Sequence, residues 1–390
     1  MTVFQHNASG RNVVYWTGGT GEWDNDGNDG YHWVCDEKIL GRHDSPTEND
    51  IALIKNDGFV KARPGPYWDA SYRVHRLILG DEKTYGALWI AKSDLLVGED
   101  IVLGPEYSSG EENYGFIRMD PGSFIKAENI YAGLRGTGQI FVNGGEIETD
   151  NMTVGVHSKA NGYVHLSGHE ELAEINCKKT AVIGDSGKGE VFVSQGGLFK
   201  ADRLIVGKKS GSTGIVTVSG NDSKIKANSI EIGSKSENAL MKLTAGGSSQ
   251  SDTLYVGKDT GSKGAVSVSG KGSNVKTNCG HIGVLGDGSL NIMDGGSLIL
   301  NKLYIASLEG GTGAVTVSGK ESLLEVETGD TFLGYVGTGT MEISEEGLVR
   351  TSGNFYVGNS EISNGTVMVS GLGSRLETRD TFIGRYGNGK

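Results

Sequence analysis

From about residue 130 onward the chain repeats itself, and the form of the repeat leaves few folds open. The segment Leu254 to Gly270, LYVGKDTGSKGAVSVSG, carries the pattern. Its second half recurs as GYVHLSG (Gly162 to Gly168), GIVTVSG (Gly214 to Gly220), GAVTVSG (Gly313 to Gly319) and GTVMVSG (Gly365 to Gly371), with closing glycines 52, 50, 49 and 52 residues apart. Between these copies runs a second series: GQIFVNGG (Gly138 to Gly145), GEVFVSQGG (Gly189 to Gly197), ALMKLTAGG (Ala239 to Gly247), GSLNIMDGG (Gly288 to Gly296) and the variant GTMEISEEG (Gly339 to Gly347). The two series interleave, so the unit is about 25 residues in two alternating flavours, and self-similarity at that period means a solenoid or array.

Each unit contains three short strand-like runs. In Gly214 to Gly233 the first is IVTVS, where Val216 and Val218 alternate with polar residues, the period-2 pattern of a half-buried strand. The second is SKIKAN (Ser223 to Asn228) and the third SIEIG (Ser229 to Gly233). Gly, Asn, Asp and Ser mark the joins, and no window has helical periodicity. Three strands and three turns per coil predict an all-β fold, a right-handed parallel β-helix with coils stacked about 4.8 Å apart. Rows of like residues would fill the interior: Val216, Val266, Val315 and Val367, and beside them Val218, Val268, Val317 and Val369.

Composition agrees with this. Sixty-four glycines suit many tight turns, while only five prolines leave backbone N–H groups available for a continuous ladder. A net charge of −12 argues against nucleic acid as a partner, because that affinity rests on basic residues neutralising phosphates. No apolar run is long enough to span a membrane. Cys35, Cys177 and Cys279 lie far apart with no metal-type spacing and read as single thiols. Gly187-Lys188 and Gly270-Lys271 are not followed by Ser or Thr, which excludes a phosphate loop.

Three segments are expected. Residues 1–75 do not repeat and hold Trp16, Trp23, Trp33 and Trp68, so they read as an aromatic-rich N-terminal cap closing the open end of the core. Residues 76–130 read as irregular transitional coils interrupted by a loop at Pro105 to Gly115, and 131–390 as the regular array, which reads as cut in mid-repeat at GRYGNGK.

A Val-rich strand closing on Ser-Gly, then Ser, then an apolar-apolar-Gly strand resembles the passenger-associated repeats of bacterial autotransporters (type V secretion). WTGGTGEW (Trp16 to Trp23), His32-Trp33 and Pro46 followed by NDIALI (Asn49 to Ile54) are similar to the first segment of many such passengers; the Asp-rich run Asp24 to Asp29 and the insertion around Cys35 to Arg42 depart from it. The resemblance implies a β-helix exported through the outer membrane and displayed at, or released from, the cell surface as a fragment of a longer precursor. It further implies an adhesin or self-association module without enzymatic activity, whose partner is a host surface protein, a glycan or a copy of itself. The alternative on the same scaffold is a polysaccharide-degrading enzyme, a lyase or tailspike-type hydrolase. Such an enzyme needs carboxylates or a base held in a cleft built by long inserted loops. The near-constant repeat leaves room for insertions only at residues 100–120.

Candidate sites are few. Asp24, Asp26 and Asn28 fall at the first, third and fifth places of an EF-type calcium loop, but Asp29 stands where glycine is needed and Cys35 at place twelve, so an Asn/Asp/Gly surface loop is the favoured reading. No other cofactor is indicated. His157, His165 and His169 with Glu170, Glu171 and Glu174 form a second group; His165 takes the outward place held elsewhere by Thr217 and Thr316, which predicts a solvated strand residue. Aligning the third strands gives a column two places before the closing glycine that should face outward. It reads Val182, Ile205, Glu231, Tyr255, His281, Tyr304, Phe332, Tyr356 and Phe382. From Tyr255 onward it is aromatic or His, either because stacked rings stabilise neighbouring strands or because the stripe binds glycan or another chain.

Overall fold

In the computed structural model the chain is described over residues 13–16, 20–23, 33–35, 38–39, 45–55, 58–62, 71–80, 84–105, 114–169 and 171–390. Every regular element among them is a β-strand, and the strands stack as a right-handed parallel β-helix with coils of roughly 25 residues. Two compact units are present, residues 1–178 and 179–390.

In the second unit the expected three strands per coil are all found, with one modification. The first strand stands alone: Thr213–Ser219 pairs in parallel with Asn238–Thr244, and Lys263–Ser269 with Asp287–Met293, residue for residue. The second and third strands are one bent strand, such as Lys224–Ile232 on Ser248–Val256. Its ladder runs from Lys224↔Ser248 to Ala227↔Ser251 and resumes at Ser229↔Thr253, so the corner residues Asn228 and Asp252 drop out of register. The corner is one residue wide, which lets the hydrogen bonding continue around it. Asn and Asp suit this place because their short side chains bond to the equivalent corner of the next coil: Asn228 Nδ2 donates to Asp202 Oδ1 at 2.5 Å and Asn278 Nδ2 to Asp252 Oδ1 at 3.2 Å. Where the corner lengthens, at Glu327–Asp330, the strand splits into Leu323–Val326 and Thr331–Leu333.

The interior is the expected set of rows. Val216, Val266 and Val315 are no more than 1% exposed, and Val218, Val268 and Val317 are fully buried. In the last coil Val369 and Ile383 rise to 45% and 59%, because no further coil lies over them. Glycine is required where coils touch. A Cβ at Gly264 would lie 2.1 Å from the Ile232 carbonyl oxygen one coil away, and Gly257 holds φ +68° with its Cβ position 2.3 Å from Asp287 O.

The Ser-Gly-x-x-Ser signature has a specific task. In VSGKGS the second serine, Ser273, is fully buried and its hydroxyl accepts the Gly246 N–H of the preceding coil at 3.0 Å. Ser223 and Ser322 do the same for Gly196 and Gly295, both at 3.1 Å, and donate in turn to Ser219 O and Ser318 O. A turn amide that would otherwise be orphaned is thereby satisfied between coils.

In the first unit the stack starts at once. Val13–Trp16 pairs in parallel with Ile51–Ile54 and Thr20–Glu22 with Gly58–Ala62's Phe59 to Lys61, so the segment expected to be a cap itself contributes coils. The departure from repetition lies in Trp33–Cys35, which runs antiparallel beside Val13–Trp16, and in Lys38–Ile39, which pairs antiparallel with Trp33–Cys35 in turn. Trp16 and Trp23 are fully buried, as a cap requires, while Trp89 lies half-buried on an outer face.

Ser273→Ala leaves the half-buried Gly246 N–H without its acceptor and should cost about 1 kcal/mol, read as a lower urea midpoint. Ser267→Ala, on the solvent side of the first strand, should stay within about 0.5 kcal/mol of the parent.

Candidate functional site

The third-strand column of the second unit forms a continuous ring ladder. Parallel register places Tyr255 beside His281, His281 beside Tyr304, Tyr304 beside Phe332, Phe332 beside Tyr356 and Tyr356 beside Phe382. Successive ring centroids are 5.0 to 5.1 Å apart and the planes differ by only 5° to 17°. The spacing follows from the stacking of the coils themselves. Each ring from His281 to Tyr356 therefore spends both faces on its neighbours and turns its edge outward. Each such contact contributes about 0.5–1.5 kcal/mol beyond simple burial.

The ladder is also walled. Residues three places downstream of column members fold over it: Lys258 Nζ sits 5.1 Å from the Tyr255 centroid, Ser307 Oγ lies 3.2 Å from His281 Nδ1, Tyr335 packs edge-on against Tyr304 and Phe332, and Arg385 covers Tyr356 at 5.1 Å. On the other flank Cys279 Sγ is 3.3 Å from His281 Nε2, and Asn354 Nδ2 donates to the Tyr356 hydroxyl at 3.1 Å. Exposure falls to 9% at Tyr356 and reaches 42% only at Phe382. Upstream the column is buried, with Val182, Ile205 and Glu231 at 5%, 4% and 2%. Glu231 is held by two cations one coil away on either side, Arg203 NH2 at 2.6 Å and Lys258 Nζ at 2.9 Å. Lys258 thus joins the carboxylate to the first ring of the ladder.

The other outward features are grooves. In the second unit an open groove of about 800 Å3 runs across the first strands, floored by Ile215, Leu240, Ala265, Ser289, Ala314 and Thr340 and edged by Glu237, Lys263 and Asp287. Its depth comes from the small side chains at mid-length. Glu237 is kept below the usual carboxylate range by the Gly211 N–H and the Ser210 hydroxyl. In the first unit a charged cleft of about 580 Å3 contains Glu148 between Lys126 Nζ (2.8 Å) and Lys178 Nζ (2.6 Å). Hydrogen bonds from these two lysines, Lys126 foremost, lower the Glu148 pKa.

Sequence reasoning found the ladder but not its walls, and it missed a second aromatic surface. On the first-strand face of the first unit, Tyr85 stacks on Tyr114 (5.3 Å, 12°), Tyr114 on Phe116, and Phe116, Phe141 and Tyr163 follow at 5.4 and 5.6 Å. The signal was available: YGALWI, YGFIRM, TGQIFV and NGYVHL share the x-Gly-x-apolar-x pattern of the later first strands. Reading 76–130 as irregular concealed it. His165 belongs to this surface. Expected to be solvated, it is half-buried against Phe141 (5.9 Å, 77°) and Tyr163 (6.4 Å, 54°), and burial lowers its pKa. Its rings are neighbours because adjoining strands place Phe141 directly beside it.

The calcium candidate Asp24, Asp26 and Asn28 lies outside the described residues. Among those described, no three His, Cys, Asp or Glu side chains form a metal-binding group, and no helix is long and apolar enough to cross a membrane. Cys177 is buried and Cys279 half-buried. Compared with protein-family models, with curated proteins and with solved structures, the chain matches none.

His281 gives a pH test. Burial holds its pKa below the ordinary value, so the folded state binds fewer protons than the unfolded chain. Its stabilising neutral form is fully favoured above about pH 6.5, and stability falls as pH drops through the lower folded value. His281→Tyr should keep the stack and flatten this part of the acid slope, measured as urea midpoints between pH 7 and 5.

Proposed function

We propose that the chain is a non-catalytic binding and assembly module of the adhesin type, the passenger of a bacterial autotransporter presented at or released from the cell surface. Its partner is a host surface protein, a glycan or another copy of itself. The observation that carries this reading is the unbroken register of the second unit: every first strand from Lys188–Ser194 to Asn364–Val369 pairs with the next without an inserted residue. Such a wall offers long, repetitive outer faces suited to lateral contact. It lacks the overhanging loops that would enclose a substrate and fix an acid and a base against it. Glu148, tied to two lysines, supports the same conclusion for the cleft in the first unit.

The ladder contributes rigidity and the outward edges of its stacked rings rather than open ring faces. This favours lateral contact over sugar stacking at that stripe. Changing Tyr304, Phe332 and Tyr356 together to Ser should weaken self-association of the purified chain at least about tenfold in sedimentation analysis, about 1.4 kcal/mol. An unchanged association constant would remove the ladder edge from the interface. Release of reducing ends from a polysaccharide panel would instead favour the depolymerase alternative.

A further inference from the structure

The first-strand face of the first unit carries two adjacent outward columns over three strands, Tyr114–Met119, Thr137–Val142 and Asn161–Ser167. One column reads Phe116, Gln139, Tyr163 and the other Arg118, Phe141, His165. Aromatic and hydrogen-bonding groups therefore alternate in both directions, as on a checkerboard. Phe116 lies nearly parallel to Tyr114 (14°), but from Phe116 onward the rings are not laid flat on one another as in the ladder. Phe116 and Phe141 are inclined by 44°, Phe141 and Tyr163 by 50°, Phe141 and His165 by 77°. Rings at such angles cannot all spend both faces on each other, and none of the four is fully buried.

The polar members are fixed in place. Arg118, half-exposed, donates from Nε to Asp120 Oδ1 at 2.9 Å and lies over the Trp89 ring, whose Nε1 donates to Asp120 Oδ2 at 2.7 Å. The Tyr114 hydroxyl donates to Gln139 Oε1, which leaves the carboxamide nitrogen as a donor. Rigid rings interleaved with pre-set donors match a ligand that is itself alternately apolar and polar. A pyranose chain has that character, with C–H faces that pack on π-systems and hydroxyls around its rim. A purely apolar partner would bury the remaining N–H donors of Arg118 and Gln139, those not turned to Asp120 or Tyr114, without acceptors.

We infer that Phe116, Phe141 and Tyr163, with Arg118 and Gln139, form a binding platform for a neutral oligosaccharide chain. The inference rests on the reading of the chain as a binding module and names the ligand class and its place. The sugar rings stack on the inclined aromatics while the guanidinium and carboxamide donate to hydroxyls. The test is calorimetric titration of the full chain with cellohexaose, chitohexaose and maltohexaose. At least one should bind saturably, Phe141→Ala and Tyr163→Ala should each weaken it about tenfold or more, and Phe141→Tyr should retain it. Ser267→Ala, on the solvent side of a first strand in the second unit, should leave it unchanged, and circular dichroism of each variant controls for folding. Failure of all three hexaoses to bind, or wild-type affinity in both alanine variants, overturns the platform. Loss of self-association in Phe141→Ala without hexaose binding would do so too, by assigning this face to a second copy. Cleavage of a bound hexaose would overturn the non-catalytic reading while leaving the platform, whereas absent hexaose binding with intact self-association would have the reverse effect.

Discussion

Parallel stacking in strict register is the constraint from which everything else in this molecule follows. A strand in a parallel ladder sits about 4.8 Å from its neighbour, and each residue stands beside its equivalent one coil away. Side chains are therefore sorted into columns, and every column must be made of groups that tolerate close repetition. Inward, the solution is rows of Val, Leu, Ile and Met. At coil contacts it is glycine, since a Cβ at Gly264 would meet a carbonyl oxygen at 2.1 Å. At turns it is the buried serine that accepts an amide from the coil before. These solutions repeat because the geometry repeats.

Outward columns are where the chain has freedom, and it uses aromatic residues in two different ways. In the second unit the rings from Tyr255 to Phe382 lie nearly parallel, so the stacking is internal and the column behaves as an external extension of the core. It starts at Glu231, a carboxylate 2% exposed and balanced by Arg203 and Lys258. Leaving that charge without its partners would be strongly destabilising, so the ion pairs fix where the ladder can begin. In the first unit Tyr85, Tyr114 and Phe116 are stacked, but Phe116, Phe141 and Tyr163 are inclined to one another and interspersed with polar groups. The same residue types thus serve stability in one arrangement and recognition in the other, and the angle between planes separates them.

The sequence made the coil, the core rows and the ladder column visible because each depends on identity at a fixed repeat offset. Val216 and Val266, or Tyr304 and Phe332, can be aligned by eye. What escaped depends on contacts between residues about one coil apart whose types are not repeated. Glu231 stood in the column as an anomaly, and nothing local announced Arg203 and Lys258 as its partners. Tyr335 and Arg385 lie three places past a ring, yet Val284 holds the equivalent place beside His281, so no pattern marks the wall. The first unit hid its coils for a related reason. Its linkers vary in length, which obscures the period although Gly86, Gly115, Gly138 and Gly162 stand beside one another in the same ladder.

The central claim is that the coil is the unit of structure, held by register with its neighbours. Deleting residues 239–263, one coil from Ala239 to Lys263, joins Asn238 to Gly264 and leaves every remaining strand a partner of matching register. Urea unfolding followed by circular dichroism should then show an all-β chain that still unfolds cooperatively, at a modestly lower midpoint. Deleting only residues 239–250, half that span, should break the single transition, because the junction coil loses its first strand and no longer joins the coils on either side of it in register. Equal tolerance of both deletions, or loss of folding in the whole-coil variant alone, would contradict the account.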